Sequence, residues 1–403
     1  MMIAWPHVSH ESLPWASSAP LSVRARAKQP TEYESSLVPG IAEAPPTLHP
    51  DTLAAVDRAT IAVTRFDAAQ AASTLPLTPL LLRGESAASS RIEQLTSSAR
   101  RILEAELLDT DGTGNAALIV AATAQMSAAI TSNDPPGEAA VLHMHRLLLQ
   151  GSQPEIAGRY REEAVWIGGS DAHPVDSLFT APHHRHLPVL MADLQSWMRR
   201  RDVPALVLAA IAHAQFETIH PFVDGNGRTG RALIHTLLRH RGLTVNGTLP
   251  LSAGILRSPD SYFDALTSYR AGNIDPIVRL IADAALRATE LGTWLGREIA
   301  EIRGSWNEQV TARRDATDWR VLDVLIRQPL VDVPGLAAEL NVSTANTGKA
   351  LERLEANGIV LSAQVARNRR AWRAPEILEL LDEFAEKAGR REVPRVEAEP
   401  PSR

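Results

Sequence analysis

The chain has 403 residues, 44% of them hydrophobic and 22% charged, with a formal net charge of -6. That is enough chain for two or three domains with sizeable cores, and the acidic balance excludes a protein that is basic throughout and coats nucleic acid. There is no cysteine, which excludes disulfides, thiolate nucleophiles and cysteine-ligated zinc. With no basic, apolar leader and no run of ~20 apolar residues, the expectation is a soluble, cytoplasmic protein without a membrane partner.

Residues 1–50 are rich in Pro and Ser and hold Trp5 and Trp15; they read as an extended arm. From Asp51 to about residue 82, Leu53, Val56, Ala59, Val63 and Phe66 recur with helical spacing until Pro76 and Pro79 interrupt, which predicts a helix and then a bend. Amphipathic stretches at about 90–109, 115–131 and 137–150 predict further helices, with DTDGTG and SNDPPGE as turns. Between 158 and 181 the β-capable pieces AVWIGG and SLFTAP predict a hairpin or an irregular loop. Helices resume at about 187–200, 203–218 and 229–241, the last closed by Gly242, and another stretch runs from about 262 to 302.

From Trp319 the order is helix, turn, helix, turn, helix and two strands around ARNRR, the layout of a winged helix-turn-helix. The charged, Pro-bearing end from about 381 reads as disordered. The expected fold class is mainly α: a helical bundle carrying one β-hairpin, plus a C-terminal winged helix-turn-helix domain. The expected divisions are an arm at 1–50, a helical region at 51–135, a core at 136–300, the winged helix at 301–380 and a tail at 381–403.

The stretch that carries chemistry is HPFVDGNGRTGR, His220 to Arg231, between two predicted helices. Gly225, Gly227 and Gly230 let the backbone turn tightly and leave N–H groups uncovered just before a helix begins, which makes an anion-binding nest. Arg228 and Arg231 add fork-shaped positive charge suited to phosphate oxygens, and Asp224 is a hard oxygen ligand of the kind magnesium accepts. His220 can act as a general base toward an attacking hydroxyl.

This string resembles the signature of the Fic family, H-x-F-x-[DE]-G-N-G-R-x-x-R, at every defined position. The resemblance implies a Fic-type helical bundle and transfer of AMP from ATP, with magnesium, to a Ser, Thr or Tyr hydroxyl of a protein, the chain itself included. It implies that His220 deprotonates the hydroxyl and Asp224 holds the metal. Gly225, Asn226, Gly227 and Gly230 would build the anion hole, with Arg228 on the β-phosphate side and Arg231 on the γ-phosphate. The segments LHMHRLLLQG and GRYREEAVWIGG are similar to the helix and the approach to the family's β-hairpin flap, which takes a target segment by strand addition; the flap is expected within residues 165–184. The resemblance also implies a homodimer.

SSRIEQ, residues 89–94, supports two readings. Ser90 followed by Glu93 is a capping box that starts a helix. Beside a Fic-like core the stretch also resembles the inhibitory motif [ST]-x-x-x-E-[GN], with Ser89 and Glu93 in the defined places and Gln94 departing from Gly or Asn. That places an inhibitory helix near 89–105, with Glu93 pairing Arg231. His183, His184 and His186 match no metal-ligand spacing and read as loop histidines; His213 and His235 read as packing or surface residues.

DNA is an alternative partner, through Thr344, Asn346, Thr347, Lys349 and Arg353 on the presumed recognition helix and Arg367, Arg369, Arg370 and Arg373 on the wing. Helix-turn-helix modules also serve in dimerisation or target docking. Three rival functions stay open: AMP removal with Glu93 orienting a water, use of another nucleotide donor, and a DNA-binding regulator whose core senses nucleotide.

Overall fold

The computed structural model describes residues 5–16, 29–73, 75–109, 114–132, 136–170, 172–313 and 315–390. Two strands, β1 (Ser9–Pro14) and β2 (Glu32–Leu37), pair antiparallel with Ser9 opposite Leu37. Trp5, 7% exposed, packs edge-on against Trp197 with ring centroids 5.7 Å apart. The extended arm expected over 1–50 is thereby corrected. Aromatic rings carry about 150–250 Å² of burial each, and they anchor this Pro- and Ser-rich segment on the core.

The helix α1 (Pro50–Ala72) opens with the His49 ring accepting from the Asp51 amide, and the bend precedes α2 (Thr78–Ile92). The helix expected to start near residue 90 does not start there, because α2 ends there. Pro79 sits in the first turn of α2, where its missing N–H costs nothing, so it initiates a helix. Gln94 then takes a left-handed φ of 62°. The Leu95 amide reaches the Ser90 carbonyl and the Gln94 amide that of Arg91, both at 3.0 Å, which is Schellman closure. Ser98, not Ser90, is the next N-cap: its side chain accepts from the Arg101 amide at the start of α3 (Ala99–Leu108).

The bundle continues with α4 (Asn115–Thr131) and α5 (Glu138–Leu149), both close to expectation. Most of the two stretches read as turns, 110–113 and 133–135, lies outside the described residues. The expected hairpin is present as β3 (Trp166–Ile167) and β4 (Phe179–Thr180), with Trp166 opposite Thr180. The N-terminal hairpin lies against it: Ser36 Oγ donates to the Thr180 carbonyl at 2.6 Å, and the Trp15 ring meets Trp166 edge-on.

Next come α6 (Leu187–Met198), α7 (Ala205–Ile219) and α8 (Asn226–His240). Every residue of α7 from Leu206 to Ile219 is buried, as befits a helix that is apolar on nearly all sides and forms the centre of a bundle. The helical stretch expected over 262–302 consists of α10 (Pro259–Arg270) and α11 (Asp275–Gln309), preceded by the short α9 (Leu251–Ile255). Both long helices pack on α7. Among the described residues, no helix is long and apolar enough to cross a membrane.

Since α11 runs unbroken past residue 300, the C-terminal unit begins after Gln309. It consists of α12 (Thr317–Arg327), β5 (Leu330–Val331), α13 (Val333–Leu340), α14 (Thr344–Ala356), β6 (Leu361–Ala366) and β7 (Arg369–Arg373), the strands ordered β5-β7-β6 and antiparallel. The tail expected to be disordered from 381 is helical to Gly389, as α15 (Pro375–Gly389), because Ile377, Leu381 and Phe384 share one buried face. That face packs on α2; residues 391–403 of the expected tail lie outside the described residues.

Candidate active site

The turn between α7 and α8 is fixed from below. Phe222 is fully buried with its ring stacked on His145 of α5, centroids 3.6 Å apart and planes 2° apart. His145 Nδ1 accepts from the Gly158 amide (2.9 Å), so Nε2 carries the proton and donates to the Asp224 carbonyl at 3.0 Å. Burial pushes the His145 pKa down to about 4, which keeps that ring neutral. Asn226 closes the turn: its Oδ1 accepts from the Phe222 amide and its Nδ2 donates to the Phe222 carbonyl, both 2.9 Å. The Asn226 side chain is therefore committed to the loop backbone, and its backbone amide is what remains for an anion.

Gly225 has φ 77° and no side chain caps α8, so the first-turn amides from Asn226 to Arg228 open on the cavity those residues line. The cavity measures about 290 Å³ and is also lined by Glu93, His220, Asp224 and Gln153. Asp224 accepts from the Gly225 amide (2.6 Å) and from Gln153 Nε2 (2.8 Å), and Arg228 Nη2 lies 3.5 Å from it. Arg228 is 5% exposed, and its Nε and Nη1 have no hydrogen-bond partner. Arg231 Nη1 is buried and unpartnered too. Orphaned buried donors of this kind cost free energy until an acceptor arrives, and phosphate oxygens fit them.

Gly230 departs from its expected role. A Cβ there would fall 2.4 Å from Glu217 Oε1 and 3.0 Å from His213 Nδ1, so its glycine permits α7 and α8 to approach, on the side away from the phosphate nest. Among the described residues no group of three or more His, Asp or Glu could hold a metal by itself. A magnesium ion at Asp224 fits as one carboxylate shared with phosphate oxygens and waters.

Above the nest, α2 crosses α8 as a ladder. Glu85 is fully buried, and Oε1 meets His235 Nε2 at 2.8 Å while Oε2 accepts from the Ser252 amide at 2.7 Å. One turn on, Ser89 accepts from Arg231 through its hydroxyl (2.9 Å) and its carbonyl (2.8 Å). Another turn on, Glu93 Oε1 meets Arg231 Nη2 at 2.9 Å. The same oxygen lies 2.0 Å from where a Cβ would stand at Gly227. The Glu93 carboxylate thus rests on the first turn of α8, where the helix dipole favours an anion.

His220 follows α7 with φ 50°. Its Nδ1 faces the Glu217 carbonyl at 3.4 Å, which leaves Nε2 as the free lone pair. Burial, with Arg161 and Arg270 nearby, pushes its pKa down to about 4, so the ring is neutral at physiological pH. Sequence reasoning missed His145, Gln153, Arg161 and the Glu85–His235 pair. His145 lies in a segment already singled out, LHMHRLLLQG, but its task is to brace backbone, which no spacing rule reports. Of the loop histidines, His186 meets Glu11 at 2.9 Å, and His213 is buried with Nε2 2.9 Å from the Tyr262 hydroxyl.

The site thus joins one fully buried helix, a glycine-rich turn with uncapped amides and a neutral histidine at the helix end. Residues 135–238 match the model of the Fic/DOC family. The chain is 32% identical over 163 residues to a protein adenylyltransferase Fic of Aedes aegypti and 31% identical to that of Culex quinquefasciatus. Each alignment covers 40% of this chain and 30% of the relative, so the chain spans under a third of the length of the curated relatives it matches. In fold it is similar to a Fic family protein from Desulfovibrio desulfuricans G20, with a TM-score of 0.54 and 24% identity over 82% of this chain and 97% of that one.

Proposed function

We propose that the protein transfers AMP from ATP to a hydroxyl side chain of a target protein, and that Glu93 restrains it. The observation that carries this reading is one cavity lined by the neutral imidazole of His220, the uncapped first turn of α8 and the partly unpartnered guanidinium of Arg228. The hydroxyl gives its proton to His220 Nε2 as its oxygen bonds to the α-phosphorus. The bond from that phosphorus to the bridging oxygen breaks, and pyrophosphate carries the electron pair away. The α8 amides and Arg228 hold the phosphate chain in line. Magnesium at Asp224, when bound, would neutralise phosphate charge.

Strand addition along the β3–β4 hairpin is the proposed docking mode for the target, and self-modification and a homodimer belong to the same reading. The C-terminal unit has the element order of a winged helix, but its charge is spoken for in part. Arg353 pairs with Asp318, Arg369 with Asp332 and Arg370 with Glu355; these internal pairs favour target docking over DNA. His220→Ala is expected to abolish transfer while leaving magnesium-ATP binding within a few-fold of wild type by calorimetry. AMP transfer retained in that variant would refute the assignment.

A further inference from the structure

We infer that Arg161 is a positioning residue for this transfer, fastening the hairpin on which the target docks to the turn that carries His220. The inference rests on the adenylyl-transfer reading and deepens it. Arg161 is 3% exposed. Its Nε donates to the His220 carbonyl at 2.8 Å, and Nη2 to the Pro182 carbonyl at 2.5 Å and, longer, to that of Ile219 at 3.4 Å; Nη1 donates to the Glu163 carbonyl at 2.9 Å. Its own amide donates to the Pro221 carbonyl at 3.0 Å. Glu163 precedes β3 and Pro182 follows β4, so one side chain closes the open end of the hairpin onto the last turn of α7.

The chemistry of this contact is unusual for a structural staple. All the hydrogen bonds of the buried guanidinium go to carbonyls and none to a carboxylate. Burying a cation this way is costly, and burial pushes even its pKa down to about 10. The negative end of the α7 dipole, at Ile219 and His220, offsets part of that cost. A neutral side chain would fill the space more cheaply. What the guanidinium adds is reach to both hairpin ends and the α7 terminus at once, with a fixed positive charge beside the imidazole. The other charged groups bearing on His220 are Arg270 of α10 and Glu93. His220 also needs holding: a left-handed φ of 50° disfavours a non-glycine residue, and the Arg161 bond to its carbonyl fixes the peptide that follows.

The test is self-modification with α-labelled ATP in a Glu93→Gly background, comparing Arg161→Lys and Arg161→Met. Lysine keeps the charge but cannot span three segments, so kcat is expected to fall roughly 10²-fold, the cost of about 1 Å of misplacement. KM for ATP should stay within about two-fold, since Arg228 and the α8 amides are untouched. Methionine should lower kcat likewise and also move the acidic limb of its pH profile upward, because the cation beside His220 is gone. If the methionine variant does not fold, the lysine variant decides alone. Equal damage to kcat and KM, an unmoved limb in a folded methionine variant, or no loss of kcat would overturn the positioning role.

Should the Glu93→Gly parent transfer no label, the adenylyl-transfer reading fails by itself, and amide exchange decides the fastening. The hairpin amides of Leu178 and Ala181, which bond the Ile167 and Val165 carbonyls, and the His220 amide should then exchange faster together in Arg161→Lys. Acceleration at only one of these places, or at none, would overturn it.

Discussion

Glu93 and Arg231 set the behaviour of the site at the level of single side chains. The Glu93 carboxylate holds Arg231 Nη2 at 2.9 Å and rests where phosphate would meet Gly227, so in the proposed reaction ATP would compete with Glu93 for the same donors. Glu93→Gly is expected to raise AMP transfer by at least ten-fold, read as self-labelling, and Glu93→Gln, which keeps the shape without the charge, should raise it less. A Glu93→Gly protein that folds and labels itself no faster than wild type would remove the inhibitory role. Because Glu93→Gly leaves the buried Arg231 guanidinium without its carboxylate and the first turn of α8 without its anion, the urea midpoint should fall as activity rises. Burial, with Arg161 and Arg270 nearby, pushes the His220 pKa down from 6.5 to about 4, so transfer should persist at pH 5.5 and fail only as pH drops toward 4; an acidic limb at 6.5 would contradict this setting. The sequence displayed His220, Asp224, Arg228 and Arg231 because their chemistry is in one contiguous string. Arg161 and His145 were illegible because they act on backbone atoms contributed by distant elements.

The ladder of Glu85, Ser89 and Glu93 against His235, Arg231 and Gly227 makes α2, the element proposed to inhibit, a single unit whose register is set at its buried end. Glu85→Ala would leave His235 and Ser252 without their shared acceptor and should cost about 3 kcal/mol or more, in the range for breaking buried charged networks; a loss under about 1 kcal/mol in urea unfolding would contradict that anchoring. At the exposed end, Gln94 occupies a left-handed position. Gly or Asn, the residues expected there by the motif that SSRIEQ resembles, are the ones that tolerate it. Gln94→Gly should therefore stabilise by about 0.5–1 kcal/mol, the left-handed strain relieved less the extra entropy of the unfolded chain. A destabilised variant would mean that the Gln94 side chain has a role of its own. The order of most helices and the hairpin were legible from periodicity. The direction of the cap at residues 90–93 was not, because a Ser-x-x-Glu pattern fits either end of a helix until the apolar run before it is given weight.

Across the whole molecule, buried titratable groups give stability a definite pH dependence. Burial pushes His145 and His220 to about 4 and His213 to about 3, below the ordinary 6.5. The unfolded chain binds these protons below pH 6.5 while the folded chain refuses them until about pH 4, so stability is lost as pH falls through that window. Glu217, pushed up to about 7 by burial, acts oppositely, losing stability as pH rises from 4.5 to 7. With three groups against one, the urea midpoint should be lower at pH 5 than at pH 7; an equal or higher midpoint at pH 5 would contradict these burials. The N-terminal hairpin and α15 also act at this scale, one closing over the β3–β4 hairpin and the other over α2. Composition hid both, since Pro- and Ser-rich or highly charged segments fold when a few apolar residues find a shared surface, as Trp5 and Phe384 do.

The central claim, AMP transfer by a site that Glu93 restrains, is tested most directly by incubating the full-length Glu93→Gly chain with ATP labelled at the α- or the γ-phosphate and recovering the protein. Label should be retained from the α position alone, and lost when His220→Ala is added to the same chain. Label retained from the γ position, or α label undiminished in the double variant, would contradict it.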